Sequence, residues 1–385
     1  MSSNKKIFAY CFLTVVSLQY AFINTGWEIS GLISTLFTGG AVALFLVWMF
    51  LQKYSIKSFT VRITFLLIAV LTYIATGETV FLIMLMTAMI FTSVDYKKAF
   101  RYLLNIRVLL LLVVIFASLV GILNINAISI VKGGTTSAVV GYGLGYNHPN
   151  QLGCTVCVLL LMYACYKNEK IKYRNIALIG VIELIAYIVT KNRTGAFISA
   201  LLVIALLLYK NKVASKRFIN ILEKSGKWIM PLCALLALGL PLMMASVSGR
   251  AKVVLYAING IIGSRFTHSA RVFENYSVPL FGGVIDFDKL QTLYQYSIVD
   301  NGYLRLIYNF GIVGFAVFMV LYFLTVRKLI RKKEYIYIID IILMSLMGIT
   351  ENVLRSFALN FTVAFWCELM TRTLYSRSIY SKTRK

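Results

Sequence analysis

Twelve apolar runs of helix length, joined by short basic segments, limit this chain to few folds. They lie near 7 to 24, 31 to 51, 60 to 76, 78 to 93, 107 to 126, 151 to 166, 174 to 190, 194 to 210, 228 to 248, 302 to 326, 334 to 350 and 355 to 374. A bilayer's hydrocarbon core takes roughly 20 apolar residues as a helix, and only helices or closed barrels satisfy every backbone group there. Runs of this length are helical, so the sequence predicts an all-α polytopic integral membrane protein with about 12 transmembrane helices. The third and fourth runs, and the seventh and eighth, follow each other so closely that each pair reads as a tight helical hairpin or includes a short re-entrant piece. Of 385 residues, 59% are hydrophobic and 14% charged, against about 25% charged in a soluble domain, which excludes a cytoplasmic globule.

Charge placement gives the orientation. Lys and Arg in short loops stay on the cytoplasmic side. With the N-terminus inside, the inner segments hold Lys5 and Lys6; Lys53, Lys57 and Arg62; Lys97, Lys98, Arg101 and Arg107; the clusters at 167 to 174, 210 to 227 and 327 to 333; and the basic tail from Arg372. Most of the 39 Lys and Arg behind the net charge of +25 are therefore an orientation signal and a contact for anionic membrane lipids. Nucleic acid is not needed to explain them. The first run lacks a small-x-small cleavage site and reads as an uncleaved anchor, so both termini are expected in the cytoplasm.

The basic residues left on the outer side are Lys132, Lys191, Arg193, Arg250, Lys252, Arg265, Arg271, Lys289, Arg305 and Arg355. Five of them lie in the long non-spanning segment at 249 to 301, expected as one large external loop between the ninth and tenth spans of a single membrane domain covering 1 to 385. Positive charge where topology disfavours it fits an anionic substrate; snorkelling to outer phosphates is the competing reading for any one residue. All six cysteines fall in apolar runs, and the lone Cys154-x-x-Cys157 has no second pair or histidine cluster, so no metal and no cofactor are expected. Gly141, Gly143 and Gly145 form no dinucleotide fingerprint. Glu183, midway along the seventh run, would cost roughly 2.5 to 3.5 kcal/mol facing lipid and is expected to face inward.

Four motifs stand on the outer side, at span ends or in the external loop: Asn147-His148-Pro149-Asn150-Gln151-Leu152-Gly153; Asn192-Arg193-Thr194; Gly263-Ser264-Arg265 followed by Pro279-Leu280-Phe281-Gly282; and Asp300-Asn301-Gly302-Tyr303-Leu304 running to Gly311 and Gly314. In order and topology they resemble the O-antigen polymerase and ligase superfamily, particularly the capsular repeat-unit polymerases of Gram-positive bacteria. Where the ligase branch usually carries His, this chain has Asp300, which favours a polymerase. The resemblance implies transfer of a growing glycan from polyprenyl diphosphate to a sugar hydroxyl of a lipid-linked repeat unit on the outer face of the cytoplasmic membrane. It also implies a flippase and chain-length regulators as partners. A ligase, or a lipid-linked oligosaccharide flippase or exporter, is the alternative.

Such a reaction needs guanidinium groups for a diphosphate, since the planar fork donates bidentately and stays charged. Arg193, Arg265 and Arg271 are the first choices, with Arg305 at the head of the tenth span. The acceptor hydroxyl needs a base, and the external candidates are His148, His268, Glu274, Asp286, Asp288, Asp300 and Glu351. Asp300 is favoured; a plain N-cap role for it is the competing reading. His268, three residues after Arg265 and three before Arg271, shares their face if the stretch is helical, and is the second catalytic candidate. His148, Asn150, Asn301 and Tyr303 are expected at the substrate, His148 and Asn150 also as span-start residues beside Pro149, and Asn301 as orienter or cap. Tyr276, Tyr294 and Tyr296 join Tyr303 as candidates for stacking on sugar rings.

Overall fold

A computed structural model describes residues 3–22, 24–27, 30–131, 138–246, 248–261, 265–295 and 298–370. The chain opens with α1 (Ser3–Phe22), α2 (Gly31–Phe50), α3 (Ile56–Thr76), α4 (Val80–Ile90) and α5 (Tyr96–Leu119). A hairpin follows, β1 (Ala127–Val131) antiparallel to β2 (Ala138–Tyr142), with Ala127 opposite Tyr142. Next come α6 (Pro149–Lys167), α7 (Tyr173–Thr190), α8 (Arg193–Lys210) and α9 (Ala214–Ser246). Three short helices, α10 (Arg250–Ile261), α11 (Arg265–Asn275) and α12 (Phe287–Tyr294), lead to α13 (Gly302–Lys332) and α14 (Tyr335–Thr350). The described chain ends in a 3-10 helix, Phe361–Trp366, that continues as α15 (Cys367–Met370). The expected Lys132, Gly263, Ser264, Tyr296 and the basic tail lie outside the described residues, as does the side chain of Lys252.

Among the described residues, eight helices are long and apolar enough to cross a membrane: α2, α3, α5, α6 with its extension to Lys170, α7, α8, α9 and α13. The runs near 78 to 93, 334 to 350 and 355 to 374 form the shorter apolar helices Val80–Ser93, Tyr335–Thr350 and Phe361–Met370, and the first run forms α1. Large apolar side chains such as Phe50, Leu71, Leu112, Ile185 and Phe197 stay exposed along the long helices. A helical chain with such a surface is suited to lipid and not to water. The hairpin β1–β2 is the departure from an all-α chain.

Two helices start more than ten residues before their apolar runs. α9 begins at Ala214 and stays continuous through Pro231 and Pro241, so the basic stretch before the run is helix and not loop. At about 1.5 Å per residue it is longer than the hydrocarbon core is thick, which lets its charged end project beyond the core. α5 begins after the Asp95 cap, which places Arg107 in mid-helix. Arg107 is buried and donates to the carbonyls of Ala358 (2.7 Å) and Phe357 (3.1 Å). Arg62 is likewise buried in α3, its guanidinium 4.9 Å from the centre of the Tyr54 ring. These two are packing residues within helices. Glu183 faces inward, as expected, and accepts from the Ser199 hydroxyl at 2.9 Å.

Helices α11 and α12 are fixed to the base of α13 by a shared cluster of Val272, Ile285, Leu290, Val299, Leu304 and Tyr308. Deeper along α13 the helix breaks at Gly311, where φ is 68° and ψ 176°. The strand-like segment after α11 fills the break. Ile312 N–H donates to the Pro279 carbonyl (2.9 Å), Val313 N–H to the Leu280 carbonyl (3.1 Å), and Gly283 N–H to the Tyr308 carbonyl (2.8 Å). A broken helix in lipid is tolerated only when its freed backbone groups find such partners. A Cβ at Gly311 would strike the Gly282 nitrogen and the Leu280 oxygen, and one at Gly282 would come within 2.6 Å of the Asn309 oxygen. The Pro279–Gly282 and Gly311 motifs are thus two halves of one clasp.

Candidate functional site

The ends of five segments meet around one guanidinium. Arg265, the first residue of α11, donates from Nη2 to Glu351 Oε1 at 2.8 Å, and its Nε lies 3.6 Å from Asp300 Oδ2. Its Nη1 reaches Thr194 Oγ1 at 3.5 Å. Thr194 is the second residue of α8, Asp300 precedes α13, and Glu351 follows α14. The fifth segment brings His148, at the head of α6, close enough for its charge and that of Asp300 to act on each other.

Caps set these positions. Asn301, not Asp300, caps α13: its Oδ1 accepts from the N–H groups of Tyr303 and Leu304, both at 3.1 Å, while its amide donates to the Ala237 carbonyl (2.6 Å) and Ser269 Oγ (3.2 Å). That leaves the Asp300 carboxylate for Arg265. Gly302 lets α13 start against the end of α14: a Cβ there would lie 2.7 Å from the Glu351 oxygen and 2.9 Å from that of Gly348. Asn192 caps α8 through Gly195 N–H (3.0 Å) and donates to the Asn150 carbonyl (2.9 Å), tying the start of α8 to the start of α6. His148 caps α6 by accepting the Asn150 N–H on Nδ1 at 3.0 Å, beside Pro149 in the first turn. An Nδ1 that accepts places the proton of the neutral ring on Nε2.

The electrostatics follow from burial. Glu351 is buried, and desolvation raises its pKa above the ordinary carboxylate value; Arg265 opposes the rise and the like charge of Asp300 adds to it. Asp300, whose side chain is 29% exposed, is also raised by burial, against the pull of Arg265 and His148. Two carboxylates held on one guanidinium favour keeping a proton between them, so one can accept a proton while the other stabilises charge. Burial lowers His148, with Asp300 opposing.

The other expected residues separate into two groups. Arg193 is exposed beside Thr194, and no hydrogen bond or ion pair of its side chain is seen among the described residues. The stretch 265 to 275 is helical, but His268 turns to Arg271, with Nδ1 and Nη1 3.4 Å apart, and Arg271 covers the Tyr294 ring at 4.6 Å. Burial and the Arg271 charge push His268 down to about 4. The histidine paired electrostatically with Asp300 is therefore His148. Arg305 is half-buried over the Phe287 ring at 4.6 Å.

Tyr303 and Asn301 correct the expectation of substrate contact. Both are fully buried, Tyr303 with its hydroxyl on the Ser345 carbonyl at 3.0 Å, so neither presents a surface to a sugar. Tyr276 donates to the Asp286 carbonyl at 3.0 Å, and Tyr294 accepts from Asn275 at 2.8 Å. Asn150 contributes its backbone to the two caps. Glu351 stood in the sequence only as one of seven possible bases; the glycine that lets it share the site is Gly302, at the start of α13. Glu78, whose oxygens lie 3.1 and 3.2 Å from Arg355 Nη1, had no sequence signal. Among the described residues no three His, Cys, Asp or Glu converge as a metal site.

Compared with models of protein families, with curated proteins and with solved structures, the chain finds no match.

Proposed function

We propose that the protein is a membrane glycosyltransferase: a polysaccharide polymerase that moves a growing glycan from polyprenyl diphosphate onto a lipid-linked repeat unit, in capsule, O-antigen or exopolysaccharide synthesis. The observation that carries this reading is Arg265 held between Asp300 and Glu351, a strong anion-binding group and a proton acceptor in one half-buried site. In the reaction, an acceptor sugar hydroxyl attacks the anomeric carbon of the donor glycan. The hydroxyl proton passes to Asp300, the new C–O bond forms, and the bond to the diphosphate oxygen breaks with its electron pair. Arg265, with Arg193 at the rim, stabilises the charge that grows on the leaving diphosphate.

Glu351 fixes the guanidinium by the shorter contact, and burial raises the proton affinity of the Asp300 carboxylate. The Asp300 contact is the longer and more exposed one, so an incoming phosphate exchanges with it and frees the base as it binds. His148, whose Nδ1 accepts the Asn150 N–H and whose charge acts on Asp300, is the acceptor-side partner of the base in this reading. The reading carries the topology with it: about 12 spans, the site at the outer face of the cytoplasmic membrane, and both termini in the cytoplasm.

The test is reconstitution of the full chain in liposomes with one purified lipid-linked repeat unit. A ladder of products is the expected result. A single transferred chain would make the protein a ligase, and movement of the lipid-linked sugar without new bonds would make it a flippase.

A further inference from the structure

The two segments that supply the carboxylates also supply two guanidiniums. Asp300 is followed five residues later by Arg305, and Glu351 four residues later by Arg355. The acids lie near each other, bridged by Arg265. The arginines are coupled through charge: Arg355 and Glu78 both act on Arg305. Here the bridging charge is lopsided. Glu78 is committed to Arg355 through both oxygens, whereas Arg305 Nε is buried with no partner and its guanidinium rests on the face of Phe287. One carboxylate against two guanidiniums leaves a surplus positive charge. Like charges held together in a half-buried place are costly unless an opposite charge joins them.

From this we infer that Arg305 and Arg355 form a second phosphate-binding site, distinct from Arg265. The stacked Arg305 fork is pre-oriented on Phe287, which suits a planar bidentate donor, and Glu78 holds Arg355 in place. The phosphate is that of a lipid-linked diphosphate or of a phospholipid headgroup. On the polymerase reading, which this inference uses only to name its ligand, it is the diphosphate of the second lipid-linked substrate, held while Arg265 holds the first.

The probe is farnesyl diphosphate, with farnesol and phosphatidylglycerol as the comparison arms, bound to the full chain in a non-ionic detergent and counted by native mass spectrometry. Two farnesyl diphosphates per chain are expected, with Arg305→Gln and Arg355→Gln each weakening one of them roughly tenfold or more. Arg305→Lys is expected to retain part of that binding, which separates lost charge from lost folding. Arg265→Gln is expected to weaken only the other equivalent. Binding that is unchanged in Arg305→Gln and Arg355→Gln overturns the inference, as does equal binding of farnesol at this site. Loss on Arg265→Gln alone overturns it while leaving the polymerase reading intact; loss on Arg305→Gln alone supports it and counts against Arg265 as a diphosphate site. Displacement of the Arg305-dependent equivalent by phosphatidylglycerol supports the site and makes the headgroup its source.

Discussion

Arg265 lies closer to Glu351, at 2.8 Å, than to Asp300, at 3.6 Å, and this asymmetry divides the work between the two carboxylates. The buried one positions the guanidinium and the more exposed one is free to exchange it for a ligand. Replacing Arg265 by Lys keeps a charge but loses the planar fork that reaches Glu351, Asp300 and Thr194 together. Chain extension in liposomes is expected to fall by roughly 10²- to 10³-fold. A Lys variant within a few-fold of wild type would remove the guanidinium from the reaction.

The acid limb of the pH–rate profile reports the carboxylates. Burial raises both Asp300 and Glu351, so activity is expected to decline, as pH falls, at a pH above the ordinary carboxylate range. Glu351→Gln removes the group that burial and the Asp300 charge raise, and the limb is expected to move to lower pH, toward that of Asp300 alone. Stability runs the other way: because these folded pKa values are raised, their contribution is fully present below the unfolded value and is lost as pH rises through the folded one. An acid limb that does not move in Glu351→Gln would separate the two groups.

The clasp at the α13 break predicts a contrast among glycines. Gly311→Ala needs a left-handed backbone and strikes the Gly282 nitrogen and the Leu280 oxygen, so it is expected to lower stability by at least about 1 to 3 kcal/mol or to prevent folding. Gly239→Ala, in α9 with its nearest neighbour atom 3.9 Å away, is expected to be neutral or slightly stabilising. Thermal unfolding in detergent compares the two, and equal effects would contradict the clasp.

Tyr303 separates packing from substrate contact. Tyr303→Phe loses the bond to the Ser345 carbonyl and is expected to cost about 1 kcal/mol of stability while leaving the KM for the lipid-linked substrate unchanged. A raised KM with unchanged stability would return Tyr303 to the binding surface.

What was legible in the sequence was local or periodic. Helix-length apolar runs mark the elements, and His148 with Pro149, Asn192 and Asn301 mark the starts of α6, α8 and α13 through the chemistry of capping. Arg265 stood out because positive charge on the outer side is disfavoured, and Asp300 because it stands in a motif at the head of a span. What was not legible depends on segments far apart in the chain. Nothing local says that Arg107 meets the carbonyls of 357 and 358, that Glu351 shares a guanidinium with Asp300, or that the 279 to 283 segment completes a helix at 311. The same limit explains Tyr303 and Asn301: next to a charged motif they read as site residues, and only the packing of α13 against α9, α11 and α14 shows them buried.

The most direct test of the central claim counts products in liposomes that hold the full chain and one purified lipid-linked repeat unit. The account predicts one polyprenyl diphosphate released for each new glycosidic bond, with both products lost together in Asp300→Asn. New bonds formed without diphosphate release, or a normal ladder from Asp300→Asn, would contradict it.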